Sequence, residues 1–142
     1  MRPQSIVMFE RLFLASQVLG AAGVVLSYQK LTDLAANDPG MRQLGLGSGF
    51  LLGIVIASYA VYMLLWYLIA RKASNAAKWI LVVFTVLGVL LALPGLAGTW
   101  DSTFALSLVV YALEVLAVVY LFRPDAKEWL AGKVQADPAT FD

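Results

Sequence analysis

The sequence predicts an all-α integral membrane protein, a bundle of four transmembrane helices. Of the 142 residues, 61% are hydrophobic and only 13% are charged, and the mean hydropathy is +0.82. A soluble globular domain has about 25% charged residues, so a water-soluble fold of this length could not cover so much apolar surface. A further observation is that four apolar segments each reach the roughly 20 residues that a spanning helix needs.

The four apolar segments follow one another with short polar stretches between them. In chain order they cover about residues 5–28, 44–70, 77–98 and 103–122. Open strands cannot cross lipid because their backbone groups would go unpaired, and the alternation of polar and apolar residues that is typical of barrels is absent. We therefore expect one transmembrane domain over residues 1–124 and a cytoplasmic tail over residues 125–142.

The first segment has a charged entrance, formed by Glu10 and Arg11. Arg2, an apolar run and the small residues at 20–22 give the outline of a cleaved signal peptide, but the two charges interrupt its hydrophobic part. We expect an uncleaved signal-anchor helix. The NDPG sequence at residues 37–40 is a strong turn signal between the first and second segments.

Basic residues flank the four segments unequally. Lys30 and Arg42 lie on one side of the predicted bundle. The other side holds the remaining eight basic residues: Arg2, Arg11, Arg71, Lys72, Lys78, Arg123, Lys127 and Lys133. Because basic residues accumulate in short cytoplasmic loops, this asymmetry predicts that both termini are cytoplasmic.

Glu114 is the most costly residue in the apolar segments. It lies nine residues before Arg123, which corresponds to roughly 13 Å along a helix, close to the middle of a hydrocarbon core about 30 Å thick. The same counting from the basic residues at the other helix ends places one polar side chain of each segment at this depth. The residues of this predicted polar layer are Gln17, Tyr62, Thr85 and Glu114.

Two roles are open for Glu114. As a neutral acid it would exchange hydrogen bonds with Gln17 and Tyr62 and hold the helices together, each bond contributing about 0.6 kcal/mol on average. As a group that gains and loses a proton it would be a functional site, since ionisable residues inside a membrane mark such sites. Arg11 is a rival partner for Glu114, although its long side chain also reaches the lipid headgroups.

Glycines recur every four residues at the start of the second segment, at Gly45, Gly49 and Gly53. Small residues at this spacing let helix backbones approach closely within a membrane. The pattern predicts a helix–helix contact, either with the first segment or with a second protomer. It does not indicate a phosphate-binding loop, because no Lys followed by Ser or Thr comes after it.

An aromatic stripe follows on the second segment, formed by Tyr59, Tyr62 and Trp66. The spacing of i, i+3 and i+7 places the three rings on one helix face. Such a face either packs against neighbouring helices or lipid, or lines a pocket for a flat ligand.

Two pairs of stretches suggest an internal repeat. YAVYMLLWYLIAR at residues 59–71 aligns without gaps with YALEVLAVVYLFR at 111–123, and VLG occurs at both 18–20 and 86–88. Two helical hairpins in parallel orientation would explain these matches. The alternative explanation is coincidence between apolar segments of low diversity.

The composition excludes several classes of function. The chain contains no Cys and no His, which removes disulfides, thiolate or imidazole metal sites, Cys nucleophiles and His-based acid–base catalysis. A net charge of +1 without a basic stripe gives no indication of nucleic-acid binding. We expect no enzymatic activity, no metal and no cofactor.

Both ends of the chain resemble a group of small membrane proteins. RPQSIVMFERLFLASQVLG at residues 2–20 and YLFRPDAKEWL at 120–130 are similar to the ends of small four-span inner-membrane proteins of Gram-negative bacteria, a group without an assigned activity. The resemblance implies a bacterial inner-membrane location and no site residues. Small multidrug transporters also combine four helices with a buried Glu, but theirs lies in the first helix, whereas Glu114 is in the fourth segment.

Two functions therefore stand as alternatives. The first is a non-enzymatic accessory or interaction subunit in the lipid bilayer, associated with other membrane protein subunits or forming a homo-oligomer through the second segment. The second is a small oligomeric proton-coupled transporter or channel in which Glu114 titrates. The second function is expected to need an assembly, because one bundle of this size has little interior for a transport path.

Overall fold

The computed structural model of the protein describes residues 2–93 and 102–132, and this part of the chain is helical without strands. The helices are α1 (Gln4–Leu26), α2 (Tyr28–Asn37), α3 (Pro39–Gln43), α4 (Ser48–Lys72), α5 (Asn75–Ala92), α6 (Ser102–Tyr120) and α7 (Pro124–Leu130). Four of them, α1, α4, α5 and α6, are long and apolar enough to cross a membrane. The prediction of an all-helical chain with four long apolar helices is thus confirmed.

The first predicted segment, residues 5–28, corresponds to α1, and α2 begins at its last residue, directly after Ser27. The Ser27 amide donates to the carbonyl of Gly23 at 2.9 Å, and the Leu31 amide donates to the carbonyl of Ser27 at 3.0 Å, so helical bonding continues across the junction. The NDPG turn signal separates α2 from α3. There the Asp38 carboxylate accepts from the Met41 amide at 2.9 Å and caps the N-terminus of α3.

Local backbone geometry sets the bounds of α4. Gly45 has a φ of +67°, in the left-handed region that favours glycine. The helix therefore begins at Ser48, later than the predicted residue 44. At the other end Ala73 adopts a left-handed φ of 52° and stops the helix. Ser74 then caps α5 by accepting from the Ala77 amide at 3.2 Å.

The connection between α5 and α6 lies outside the described residues. It includes the predicted end of the third segment at residue 98. The fourth segment, predicted over 103–122, is α6 and ends at Tyr120. Pro124 follows as the first residue of α7, the position that proline favours in a helix.

The four long helices form a ring in which each packs against the next. α1 contacts α4, α4 contacts α5, and α5 contacts α6. The ring closes between α6 and α1, which make the most extensive contact of the bundle. The order of the helices around the ring follows their order along the chain.

Buried apolar residues concentrate at one end of this ring, which we call the packed half. Its members come from the first halves of α1 and α5, the last halves of α4 and α6, and α7: Ile6, Phe9, Phe13, Leu65, Ile69, Ala70, Ala77, Leu81, Ala117, Leu121, Ala126 and Leu130. In the opposite half, Ala35 of α2 is the one buried hydrophobic residue among those described. The bundle is therefore closed at one end and loosely filled at the other.

Most of the described basic residues lie at the closed end, which we call the basic end, whereas Lys30 and Arg42 lie in α2 and α3. Glu10 of α1 joins this end to α4, because its carboxylate pairs with Arg2 and accepts from Arg71 Nη2 at 3.3 Å. Arg11 does not pair with Glu114, because Arg11 is exposed and no bond joins these two residues. Instead, Glu10 pairs with basic residues near the helix ends.

Helix α7 docks on the basic end, so residues 125–130 of the predicted tail belong to the folded bundle. Ala126 and Leu130 are buried, and Trp129 Nε1 donates to the carbonyl of Ile69 at 3.4 Å. Asp125 Oδ2 accepts from the Ser5 amide at 3.1 Å, satisfying a free donor in the first turn of α1. This hydrogen bond from Ser5 holds the pKa of the Asp125 carboxyl below its usual value.

Candidate ligand-binding cavity

Glu114 and Gln17 form a buried hydrogen bond between α6 and α1. Gln17 Nε2 donates to Glu114 Oε1 at 3.1 Å. The two residues are only 8% and 7% exposed, respectively. No ion pair involves Glu114 within residues 2–93 and 102–132. The carboxyl therefore has a neutral amide as its polar partner.

The two side chains meet because each lies on the buried face of its helix. Glu114 shares a face with Ala117 of α6 and with Leu121 directly after that helix, and both are fully buried. On α1, Gln17 lies one turn beyond Phe13, which is 1% exposed. The polar pair is thus the next layer above the packed half.

The other two residues of the predicted polar layer, Tyr62 and Thr85, lie in different places relative to the cavity that Glu114 lines. Tyr62 of α4 stacks on Phe13, with ring centroids 6.2 Å apart, and lines the same cavity as Glu114. Thr85 of α5 is 4% exposed, and its Oγ1 has no hydrogen-bond partner among the described residues. Thr85 does not line this cavity. The structure therefore brings together Gln17, Tyr62 and Glu114, which we call the polar floor.

A cavity of about 390 Å³ lies above the polar floor, between α1, α4 and α6. Along α6 its lining extends from Glu114 to Thr103, which is roughly 16 Å. Leu19, Val24, Leu106 and Val110 contribute apolar walls. The side chains that bring hydroxyl, amide or carboxyl groups are Ser16, Gln17, Ser27, Ser58, Tyr59, Tyr62, Thr103, Ser107, Tyr111 and Glu114.

Two tyrosines of the cavity lie against glycines of neighbouring helices. A Cβ atom on Gly20 would come within 2.8 Å of the Tyr59 hydroxyl, and one on Gly88 would lie 3.4 Å from Tyr111 Cε1. The missing side chains at Gly20 and Gly88 therefore leave room for the rings. The Tyr59 ring belongs to the predicted aromatic stripe, and Tyr111 lies one turn before Glu114 on the same helix.

Several cavity hydroxyls were not predicted as site residues. Thr103, Ser107 and Tyr111 recur every four residues and continue to Glu114, so they form one polar line along α6. That spacing is visible in the sequence and is the signal that could have identified them. Ser58 of α4 carries no such signal. Its Oγ bonds to its own helix at the carbonyl of Ile54, at 2.8 Å.

The predicted glycine stripe lies apart from the cavity. Gly45 precedes α4, whereas Gly49 and Gly53 lie within it and are exposed. No described atom lies within 4 Å of a Cβ built on any of the three. The first segment therefore does not occupy this face, and contact with a second protomer stays a prediction.

The described residues contain no group of three or more Asp or Glu side chains that could hold a metal ion. No protein-family model matches the sequence, and comparisons with curated proteins and with solved structures also found no match. The function is therefore inferred from the chemistry of the cavity itself.

Proposed function

We propose that this non-enzymatic membrane protein binds small lipophilic cations in its cavity and exchanges them for the proton of Glu114. The observation that carries the proposal is a buried carboxyl at the end of a cavity of about 390 Å³, bonded to the neutral amide of Gln17 at 3.1 Å. An unpaired carboxylate in such a place is costly, so the empty cavity favours the neutral acid.

A cationic ligand changes this balance. When a molecule carrying an ammonium group enters, its charge pairs with the Glu114 carboxylate and the carboxyl proton leaves for the solvent. The cavity contains a neutral acid before binding and a neutral ion pair after it. One cation is thus exchanged for one proton, and no net charge is added to the cavity.

The remaining lining suits the same ligand class. Tyr59, Tyr62 and Tyr111 bring aromatic rings to the cavity, and aromatic faces attract cations by about 0.5–2 kcal/mol. The apolar walls fit hydrocarbon substituents on the cation. This combination favours a lipophilic ammonium ion over a hydrated inorganic ion, which would need more oxygen ligands than one carboxyl.

The proposed setting is the inner membrane of a bacterium, with both termini cytoplasmic. The clustering of Arg2, Arg71 and Arg123 at helix ends on one side of the bundle supports this orientation. In it, the packed half faces the cytoplasm, and the cavity opens toward the external side. The lipid bilayer then covers the exposed apolar faces of α4, α5 and α6.

We further propose that the bundle consists of two parallel-related hairpins. The alignment pairs Tyr59 with Tyr111 and Gly20 with Gly88, and in each half the glycine lies against the tyrosine of the following long helix. It also pairs Tyr62 with Glu114. Glu114 would then differ from its equivalent, Tyr62, in the other half of an ancestral repeat. This difference supports a role for the carboxyl that the first half does not share.

The exchange is tested by adding tetraphenylphosphonium, a lipophilic cation without a proton of its own, to purified protein in weakly buffered detergent solution. We expect saturable binding with release of about one proton per cation. Glu114→Gln should abolish proton release and weaken binding about tenfold or more, because removing one partner of a buried charge pair costs at least about 2 kcal/mol.

The matched control for that experiment is Glu128→Gln, which removes an exposed carboxyl of α7 outside the cavity. It should leave both affinity and proton release unchanged. Equal binding by the wild type and Glu114→Gln would show that the carboxyl does not recognise the cation and would contradict the proposal, as would the absence of binding.

A second candidate is the accessory subunit or homo-oligomer. It is favoured by the exposed Gly49 and Gly53 on α4, which form a smooth helix face without a neighbour among the described residues. Light scattering in mild detergent tests this candidate, and the proton release described above separates it from the cation exchange. A defined oligomer or a stoichiometric co-purifying membrane protein supports this one, and a monomer without a partner contradicts it.

A further inference from the structure

We propose that Lys78 and Lys127 form a binding site for a phosphate group, presented by an anionic phospholipid at the basic end. The two lysines line a cavity of about 220 Å³ between the start of α5 and the end of α7. Asn75, Leu130 and Ala131 complete its lining. This site is separate from the cavity at Glu114 and does not depend on the proposed cation exchange.

Lys78 is the first observation that points to an anion. It is only 6% exposed, and no carboxylate pairs with it in the described part of the chain. Its Nζ lies 4.9 Å from the ring centre of Trp79 and 5.0 Å from that of Phe122. These rings hold the ammonium group in place but do not neutralise its charge.

Two further sources of positive charge lie at the same cavity. Lys127 of α7 lines the same cavity as Lys78. Asn75 is the first residue of α5, so the positive end of that helix lies at the cavity edge. Like charges brought together in this way are destabilising unless an anion lies between them.

The nearby acidic side chains do not supply that anion. Glu10 is engaged with Arg2 and Arg71, and Asp125 accepts from the Ser5 amide. Glu128 is exposed and does not line the cavity. The compensating charge must therefore come from outside the described chain.

The position of the cavity favours a lipid headgroup as the source of the phosphate. It lies where α5 begins and beyond the end of α6, close to the exposed apolar rings of Trp79 and Phe122. In a bilayer this is the depth of the headgroups, where basic pockets at helix ends bind anionic lipids. The headgroup phosphate would reach the lysines while the acyl chains remain in the hydrocarbon.

Native mass spectrometry of detergent-purified protein tests the site, with phosphatidylglycerol and phosphatidylcholine compared at equal concentration. We expect the wild type to retain phosphatidylglycerol preferentially. Lys127→Gln, an exposed position whose change does not disturb packing, should weaken that binding about fivefold. Lys78→Gln should have a similar or larger effect, and Lys78→Arg should restore most of the binding.

Lys72→Gln is the matched control, since it removes one exposed positive charge at the same end without touching this cavity. Equal loss in Lys72→Gln and Lys127→Gln, or no preference for phosphatidylglycerol, would overturn the site. If inorganic phosphate alone displaces the lipid with the same dependence on Lys127, the phosphate site is supported and its assignment to a lipid is overturned. Glu114→Gln should leave lipid retention unchanged, so failure of one proposal is distinguishable from failure of the other.

Discussion

Phe13→Ala should lower the free energy of unfolding by about 3 kcal/mol, the lower end of the range for truncating a buried phenylalanine. Phe13 is 1% exposed, and its ring packs against Phe9 and Tyr62 with centroid separations of 5.5 and 6.2 Å. The lower end applies because lipid is itself apolar, so the loss comes mainly from packing contacts rather than from transfer out of water. Reversible unfolding in mixed micelles measures it.

Phe50→Ala is the matched control for this substitution. Phe50 lies near the start of α4 and is 47% exposed, so its truncation should cost less than about 1 kcal/mol. The difference between the two variants tests the division of the bundle into a packed half and an open half. Equal losses would mean that the two halves are held together equally well, contrary to the structure.

The four long helices were predictable because each exceeds the length and hydropathy that a bilayer requires. The residues at which these helices begin and end were less predictable. Gly45 and Ala73 take left-handed backbone conformations, and nothing in the periodicity of the apolar residues distinguishes these positions from the neighbouring helix. The contact of Gln17 with Glu114 was predictable from depth, because residues at equal distances from the same membrane surface in adjacent helices can meet.

The cavity was not predictable from depth or composition. Two of its side chains, Tyr59 and Tyr111, take their positions where Gly20 and Gly88 leave room for the rings. A list of apolar residues does not show which faces of the helices turn toward each other. The docking of α7 was not predictable for a similar reason. The burial of Leu130 depends on contacts with the ends of helices that are far away in the sequence. Local sequence marks Pro124 as the start of a new helix but not where that helix packs.

The two halves of the bundle have different consequences for function. In the proposed exchange, capture of a cation and release of the Glu114 proton need only the open half, where the cavity reaches the carboxyl. Movement of the ligand across the membrane needs a second conformation in which Phe9, Phe13 and Leu81 separate. Binding and transport are therefore separate parts of the proposal, and proton release on binding is the part that needs only this conformation.

Access to the cavity from one side of the membrane is the second large effect that we expect. The chain contains no cysteine, so each introduced thiol gives a unique label. Ser107 lines the cavity about one turn from the end of its lining at Thr103, whereas Ala117 is fully buried in the packed half. Ser107→Cys should react readily with a membrane-impermeant maleimide, and Ala117→Cys should remain unlabelled.

The most direct test of the central claim is the labelling of Ser107→Cys in sealed vesicles of each orientation, with and without tetraphenylphosphonium. We predict labelling from the external side only, and protection by the cation when Glu114 is present but much less protection in the Glu114→Gln background. Labelling from the cytoplasmic side, or protection that is independent of Glu114, would contradict a cation-binding cavity that opens externally onto that carboxyl.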